Sequence, residues 1–412
     1  MASIQSTRKK ALLHVDLDHF KILNDTLGHP IGDLILQEVA RRLRACIHEE
    51  DTVARIGGDE FLLILEELSD VAEEAAAQAG AISERILSQI DQPFILGLLN
   101  CRCTASIGIT VFGERLDSTD EVLQQADLAM GQAKAAGRNG IRFFSSSLQA
   151  AVNARAALEK DLRQAIGTSQ LSLHYQPQVD GVRLIGAEAL LRWQHPTLGM
   201  ISPASFIPLA EETGLILPLG DWVLEAACRQ MAAWTRDGLM AGATVGVNVS
   251  ARQFHQSDFV AKTLKTLERT GIDPHLLKME LTESSLLENV EEVIAKMTEL
   301  KGYGIQFSLD DFGTGYSSLS YLKRLPLNQL KIDISFVRDI LTDASSGVIA
   351  QTIVALGRAM GLSVIAEGVE TEAQREFLAR LGCTSYQGYL FSRPLPKEDF
   401  ARLLAGMNAV SR

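Results

Sequence analysis

The sequence predicts two α/β domains joined by a helix, the second of them an eight-stranded β/α barrel. Three observations carry this. The chain has 412 residues, more than one ordinary domain and enough for two or three. Its second half holds eight short apolar runs, most of them followed by a polar residue and a helix-like stretch. Spread over about 245 residues, they have the size and rhythm of a TIM barrel. Between the halves, Phe143 to Ile166 contains neither Gly nor Pro and carries Leu148, Val152, Leu158, Leu162 and Ile166 at near-helical spacing. The join is therefore expected to be a helix rather than a floppy tether.

In the first block, Ala11–Asp16 reads as a short buried strand ending in acids, and Asp33–His48 has apolar residues at helical spacing. Val53–Ile56 and Phe61–Leu65 read as two strands with Gly57-Gly58-Asp59 between them, a hairpin signal. Val71–Ile90 is expected to be a helix and Cys103–Phe112 a strand. A further helix is expected to be capped by Thr119 or Asp120, to reach Ala136 and to end at Gly137. In the second block the expected strands are Leu171–Tyr175, Leu184–Leu191, Thr244–Val249, Leu276–Leu281, Ile305–Leu309, Gln329–Ile334, Ser363–Ala366 and Thr384–Phe391.

Composition narrows the function classes. Hydrophobic residues make up 46% and charged residues 22%, an ordinary globular balance. The formal net charge of −12 argues against wrapping a DNA or RNA polymer, which needs a basic surface. A small phosphorylated ligand remains compatible if metal ions bring the positive charge. The five cysteines, Cys46, Cys101, Cys103, Cys228 and Cys383, are scattered and form no CxxC pair. That argues against a disulfide framework or zinc site and suits a reducing cytoplasm. Met1–Lys10 is polar and basic, and the apolar stretch after it is broken by His14, Asp16 and Asp18, unlike a signal peptide. No run approaches the roughly 18 apolar residues of a membrane span. The expectation is a cytoplasmic protein with no membrane segment in this chain, a tether upstream remaining open.

In a TIM barrel, residues at the C-terminal ends of the strands converge on one site. Here those residues are Glu188, Asn248, Glu280, Asp310 with Asp311, Lys331, Glu367 and Gln387. Any one acid fits an N-cap of the following helix, but seven successive strands with polar ends point to a site. Five carboxylates against Lys331 leave −4 in a partly buried mouth, which costs several kcal/mol per unpaired ion. Two divalent cations bring the sum to zero. The hard oxygen ligands, with no Cys or His pair, point to Mg2+ or Mn2+. Paired metals on carboxylates suit phosphodiester hydrolysis. The Asp311-Phe312-Gly313-Thr314-Gly315-Tyr316-Ser317-Ser318 loop has glycines that permit a tight turn beside the metals.

In the first block, Asp16, Asn24, Asp25, Asp33 and Gly57-Gly58-Asp59-Glu60 form a second constellation. A Gly-Gly turn lets backbone approach a phosphate, since no Cβ intervenes, and Asp16 with Asp59 suits Mg2+ on a triphosphate. A plain hairpin turn accounts for Gly-Gly-Asp equally well.

The second block resembles the EAL domain family of cyclic di-GMP phosphodiesterases over nearly its full length. The resemblance rests on Glu188-Ala189-Leu190, Val247-Asn248-Val249-Ser250, Glu280-Leu281-Thr282-Glu283, Asp310-Asp311-Phe312-Gly313, Lys331-Ile332-Asp333, Ala366-Glu367-Gly368-Val369-Glu370 and Gln387-Gly388. It implies that Glu188, Asn248, Glu280, Asp310 and Asp311 bind two metals, with Asp310 bridging. Glu367 is then a further ligand or the general base, Lys331 positions the attacking water, and Gln387 holds the water network. Glu283 anchors the loop that includes Asp311, Phe312, Gly313, Thr314 and Gly315. Arg192 and Gln176 contact substrate, and the product is linear pGpG.

The first block resembles the GGDEF domain family of diguanylate cyclases, on Asp16-Leu17-Asp18-His19-Phe20-Lys21, Asn24-Asp25, Gly28-His29, Gly32-Asp33, Arg55-Ile56-Gly57-Gly58-Asp59-Glu60-Phe61, Ala126-Asp127, Lys134 and Gly137-Arg138-Asn139. The resemblance implies a nucleotidyl-cyclase-like antiparallel or mixed sheet. Asp16, the Leu17 carbonyl and Asp59 would hold Mg2+ with GTP, and Asn24 and Asp33 would read guanine. Lys21, Lys134 and Arg138 would face the phosphates, with Gly57, Gly58 and Glu60 forming the signature turn. The family's opening helix is expected to be missing here. Its Arg-x-x-Asp element reads His48-Glu49-Glu50-Asp51, and Gly131 stands where an aromatic is common. Cyclase chemistry also needs two such domains face to face.

The expected organisation is 1–147 as the GGDEF block, 148–158 as a helical linker and 159–412 as the EAL block. The expected function is hydrolysis of cyclic di-GMP, with a GTP-binding, regulatory first domain and a homodimeric assembly by resemblance. The alternatives are a bifunctional cyclase/phosphodiesterase and a cyclic di-GMP receptor without turnover.

Overall fold

The computed structural model describes residues 8–96, 99–113, 118–240, 242–283, 289–313 and 322–410. The chain divides into two units, Met1–Leu158 and Glu159–Arg412.

The first unit is built on β1 (Lys9–Asp18), whose last eight residues are all buried, as a strand covered on both faces must be. β2 (Thr52–Gly57) and β3 (Glu60–Leu68) form the expected hairpin, with Gly57 opposite Glu60 across the turn. A small hairpin, β4 (Phe94–Leu96) and β5 (Leu99–Cys101), precedes β6 (Thr104–Phe112) and β7 (Gly140–Phe143). The five-stranded sheet has the order β2-β3-β1-β6-β7. Its β1 is antiparallel to both neighbours, whereas β7 runs parallel to β6. Ile35, Val39, Leu43, Ala75, Ala79 and Ile86, from helices His29–Ala45 and Ala72–Ile90, share a core with Leu13, Val15, Leu63 and Ile107. Helix Thr119–Ala135 packs Val122 and Ala126 on Leu12.

Ser118, one residue before the expected cap, starts that last helix with a reciprocal capping box to Glu121. Helix Phe20–Leu27 fills a segment that the sequence left unassigned, and the next helix starts at His29, with Pro30 in its first turn. Helix Ser146–Ala165 contains the unit boundary. Its Leu148 and Val152 pack on the first core, and its Leu162 and Ala165 are buried.

In the second unit, β8 (Leu171–Asp180), β9 (Arg183–His195), β11 (Thr244–Asn248), β12 (Leu277–Thr282), β13 (Gln306–Phe312), β14 (Gln329–Ile332), β15 (Ser363–Ala366) and β16 (Ser385–Tyr386) close a barrel. β10 (Gly199–Ile201) pairs with the overhanging end of β9, and β17 (Leu395–Pro396) with β8. Seven barrel strands run parallel, but β8 is antiparallel to both β9 and β16. The cause is local: Gly181-Val182 turns β8 straight into β9, with Gly181 at φ 62, so no crossover helix separates them.

β16 is only two residues long, shorter than the expected Thr384–Phe391. After it, Gln387 N–H donates to the Ala366 carbonyl (2.9 Å), and Val369 N–H to the Gln387 carbonyl (3.1 Å). A Cβ at Gly388 would lie 2.1 Å from the Val369 oxygen, so this crossing of two loops requires glycine. Among the described residues no helix is long and apolar enough to cross a membrane.

Candidate active site

The barrel register gathers the polar strand residues around one ammonium. Glu188 faces Gln176 across the antiparallel pair, Asn248 lies beside Glu280, and Thr282 beside Asp310. Lys331, fully buried on β14, lies 2.5 Å from Glu280 Oε2, 2.5 Å from Glu367 Oε1, 3.1 Å from Asp310 Oδ2 and 3.8 Å from Glu188 Oε2. Asn248 Nδ2 donates to Glu188 Oε1 (2.7 Å), and Gln387 Nε2 donates to Glu188 Oε2 (2.5 Å) and Gln176 Oε1 (3.1 Å). Gln176 in turn donates to the Ser392 carbonyl at 3.0 Å. Glu188 sits mid-strand rather than at a strand end, because β9 runs on to pair with β10.

Charge sets the chemistry of this mouth. Burial pushes the Glu188 and Asp310 carboxyls up and Glu367 well up, only partly offset by Lys331. Asp311, at φ 53, is also raised, by burial and then by Asp333 beside it. Burial opposes the charge of Glu280 too, but Lys331 and Lys278 together hold its carboxyl below the ordinary range. Burial likewise opposes the charge of Lys331, yet the surrounding carboxylates lift it well above the usual lysine range. Glu367 Oε1 and Glu283 Oε1 are buried without a hydrogen-bond partner, the former despite its close approach to Lys331. Glu283 Oε2 accepts from Gly313 N–H at 3.4 Å.

Gly246 makes room for the cluster, since a Cβ there would lie 2.2 Å from Glu280 Oε1. Gly246→Ala is expected to dislodge Glu280 from Lys331 and to cost about 1–3 kcal/mol of stability by overpacking. Urea unfolding, with a crystal structure of the variant, measures both.

A layer of polar side chains lies under the mouth. Lys278 Nζ donates to Gln178 Oε1 and Gln329 Oε1, each at 2.8 Å, and Ser308 Oγ donates to the same Gln329 oxygen at 3.2 Å. Gln178 Nε2 donates upward to Gln387 Oε1 at 2.9 Å and approaches Glu280 Oε1 at 3.4 Å.

In the first unit, Lys134 Nζ lies 2.7 Å from Asp16 Oδ2, and Leu17 N–H donates to the Asp59 carbonyl (3.3 Å). Burial raises the Asp16 carboxyl, Lys134 works against this, and Asp59 and Glu60 add to the rise. Asn24 keeps a buried Oδ1 without a hydrogen-bond partner, against Gly32, where a Cβ would lie 1.7 Å from it. Asp18 is an anchor, accepting from Thr104 Oγ1, Ser106 Oγ and Asn139 N–H. Asp51 accepts from the His48 and Glu66 amides, both at 2.9 Å.

Two family models together cover most of the chain. The family model of the EAL domain matches residues 159–394, and that of the diguanylate cyclase GGDEF domain matches residues 1–140. The chain belongs to the GGDEF–EAL family. Over 405 residues it is 46% identical to the bifunctional diguanylate cyclase/cyclic di-GMP phosphodiesterase MucR of Pseudomonas aeruginosa, covering 98% of this chain and 58% of that protein. It is 41% identical over 401 residues to the cyclic di-GMP phosphodiesterase NbdA of the same organism, covering 95% of this chain and 50% of that protein. The chain thus spans only 58% and 50% of these relatives' lengths. A solved c-di-GMP complex of the phosphodiesterase PaMucR is 49% identical, with a TM-score of 0.58, covering 59% of this chain and 99% of that one.

Within the EAL domain the structure brings together Glu188, Glu280, Asp310, Lys331, Glu367, Asn248, Gln387 and Gln176, with Asp311 beside Asp310. Arg192 lies along the adjoining cavity. Phe312 is buried and Gly313 takes φ 99, while Thr314 and Gly315 lie outside the described residues. In the GGDEF domain Asp16, Leu17, Asp59 and Lys134 share one end of the sheet, joined by Glu60, which faces Asp16 across the strand pair. Gly57 and Gly58 are exposed in the turn, and Lys21, Asp33 and Arg138 are exposed, without a described contact to Asp16.

Sequence reasoning missed Gln178, Lys278, Gln329 and Ser308, polar residues inside apolar runs. It also gave no role to Asp333, whose carboxylate caps helix Ile334–Asp339. The signal for the first group was present as period-two alternation, which puts residues 178, 278 and 280 on inward-facing positions.

The donor set fits hard divalent cations: five carboxylates and one amide oxygen, whose charge the single Lys331 ammonium only partly balances. In the arrangement described, the carboxylates close on Lys331, and no group of three or more His, Cys, Asp or Glu side chains among the described residues is already set around a metal position.

Proposed function

We propose that the EAL domain hydrolyses cyclic di-GMP to linear pGpG with two divalent cations, Mg2+ or Mn2+. EAL domains are metal-dependent phosphodiesterases. The single observation that carries the reading here is the convergence of Glu188, Glu280, Asp310 and Glu367 on the buried Lys331. A carboxylate excess of this size under a single ammonium calls for further positive charge.

Glu188, Asn248, Glu280, Asp310 and Asp311 would hold the cations, with Glu367 as a further ligand or the base. Cations held there would supply the chemistry of a water made nucleophilic at neutral pH and of charge stabilisation on the reacting oxygens. Lys331, held in place by its carboxylates, presents its N–H donors to that water. Gln387 fixes the rotamer of Glu188. A cavity of about 480 Å3 adjoins Asn248 and Glu280, walled by Leu191, Pro203, Ile207 and Ile216, with Arg192 on its lining. Apolar walls suit a purine face, and the Arg192 guanidinium suits a phosphate. Gln176, tied to Gln387, completes the substrate side, and Glu283 anchors the loop after Asp311 through Gly313.

The GGDEF domain is proposed to bind GTP with Mg2+, through Asp16, the Leu17 carbonyl and Asp59. Lys134 would sit at the phosphates, and Asn24 with Asp33 would read guanine, as the resemblance to the family implies. Its role would be regulatory, in a homodimeric protein. Cyclase activity would additionally require two such domains to meet.

The test is incubation with cyclic di-GMP and Mg2+ or Mn2+, following pGpG by chromatography, with EDTA as control. The expected result is pGpG formation that EDTA abolishes. Tight binding without turnover would instead make the domain a receptor.

A further inference from the structure

Resting on the metal-site reading above, the geometry points to Lys278 as a positioning residue for Glu188, acting through a directed relay of two glutamine side chains, Gln178 and Gln387.

Every link of the relay is buried: Gln178 is 0% exposed, and Lys278 and Gln387 are 4% exposed. An amide side chain is ambiguous, since its oxygen accepts and its nitrogen donates, and its partners decide which way it faces. Lys278 removes the ambiguity. Its Nζ spends two N–H donors on Gln178 Oε1 and Gln329 Oε1, and Ser308 Oγ donates to the latter oxygen as well. With its oxygen held below, Gln178 turns its NH2 upward to Gln387 Oε1. Gln387 must then present its own NH2 to Glu188 Oε2 and Gln176 Oε1.

Reversing any amide in the series would place two oxygens, or two N–H groups, against each other among buried side chains, at a cost of about 1–3 kcal/mol for each unsatisfied group. Two N–H donors suffice for Lys278, so the relay does not depend on its charge. The consequence is that a lysine two residues before Glu280, with no hydrogen bond to Glu188, locks Gln387 from below in the one orientation that the Glu188 carboxylate can accept from above. Outer partners that orient ligand carboxylates in this way typically matter 10- to 100-fold for metal affinity or activity.

The test is a double-mutant cycle on the full chain. Lys278→Met is made in the wild type and in a Gln387→Ala background. Mn2+ affinity is read by electron paramagnetic resonance, alongside kcat and KM for cyclic di-GMP. In the wild-type background the substitution should weaken Mn2+ binding and lower kcat by roughly 10-fold or more, with KM nearly constant. With Gln387 already truncated the loss should be clearly smaller, what remains being the direct action of Lys278 and Gln178 on Glu280. Thermal unfolding checks each variant. Should Lys278→Met fail to fold, Gln178→Met, close to isosteric, cuts the relay at its middle link. An equal loss in both backgrounds, or none in either, overturns the relay. If the wild type binds Mn2+ but hydrolyses no cyclic di-GMP, the proposed function falls, and the Mn2+ cycle still decides the relay.

Discussion

Lys331→Met is expected to destabilise the protein and to make its stability depend strongly on metal. The ammonium is fully buried, with four carboxylates within 3.8 Å. Removing one partner of a buried ion pair typically costs about 3–5 kcal/mol, because the charges left behind remain out of water. Here the orphaned partners are several, and the group taken away is the one that lies against all four. In EDTA the variant should therefore unfold at clearly lower urea than the wild type. Added Mn2+ should restore more stability to the variant than to the wild type, since a ligand that binds only the folded state stabilises it in proportion to its affinity, and the variant's site lacks a competing cation. Hydrolysis should nonetheless fall by about 10²–10³-fold, the usual worth of a positioned hydrogen-bond donor at the reacting atoms. Equal stability of the two proteins in EDTA would show that Lys331 is not the counter-ion of this cluster.

Glu188→Gln separates catalysis from binding. The side chain keeps its shape, and one oxygen remains to accept from Asn248 or Gln387. Its NH2 must then face the donor group of the other, which rotates the ligand. One negative charge is also lost from the proposed metal platform. The expected outcome is hydrolysis reduced by at least about 10²-fold, the scale on which catalytic electrostatic groups act. Cyclic di-GMP binding, which draws on the cavity beside Leu191 and Ile207, should survive in a calorimetric titration. Full turnover in this variant would remove Glu188 from the chemistry.

How far the sequence revealed this site depended on where each residue sits. Glu280, Asp310, Lys331 and Glu367 were legible because each follows an apolar run in a repeating β/α pattern, and the barrel brings such positions together. Glu188 was found by the same rule although it lies mid-strand, because β9 overshoots the barrel to pair with β10.

Lys278, Gln178 and Gln329 were not legible. A polar residue within an apolar strand reads as noise until its inward direction and its partners are known, and these three satisfy one another only across β8, β12 and β14. The antiparallel course of β8 was announced by Asp180-Gly181, a hairpin dipeptide, but the barrel rhythm overrode it. Helix Phe20–Leu27 escaped because its neighbours Gly28 and Pro30 look like loop punctuation. In the folded chain Pro30 opens the following helix.

If the proposed function holds, the carboxylates paired with Lys331 form a platform for two divalent cations. The most direct measurement is a Mn2+ titration of the GTP-free protein by electron paramagnetic resonance, compared with the same titration of Glu188→Gln. Two bound Mn2+ per EAL domain are expected in the wild type, with binding lost or strongly weakened in the variant. Mn2+ binding that is absent, or that Glu188→Gln leaves unchanged, would contradict that reading.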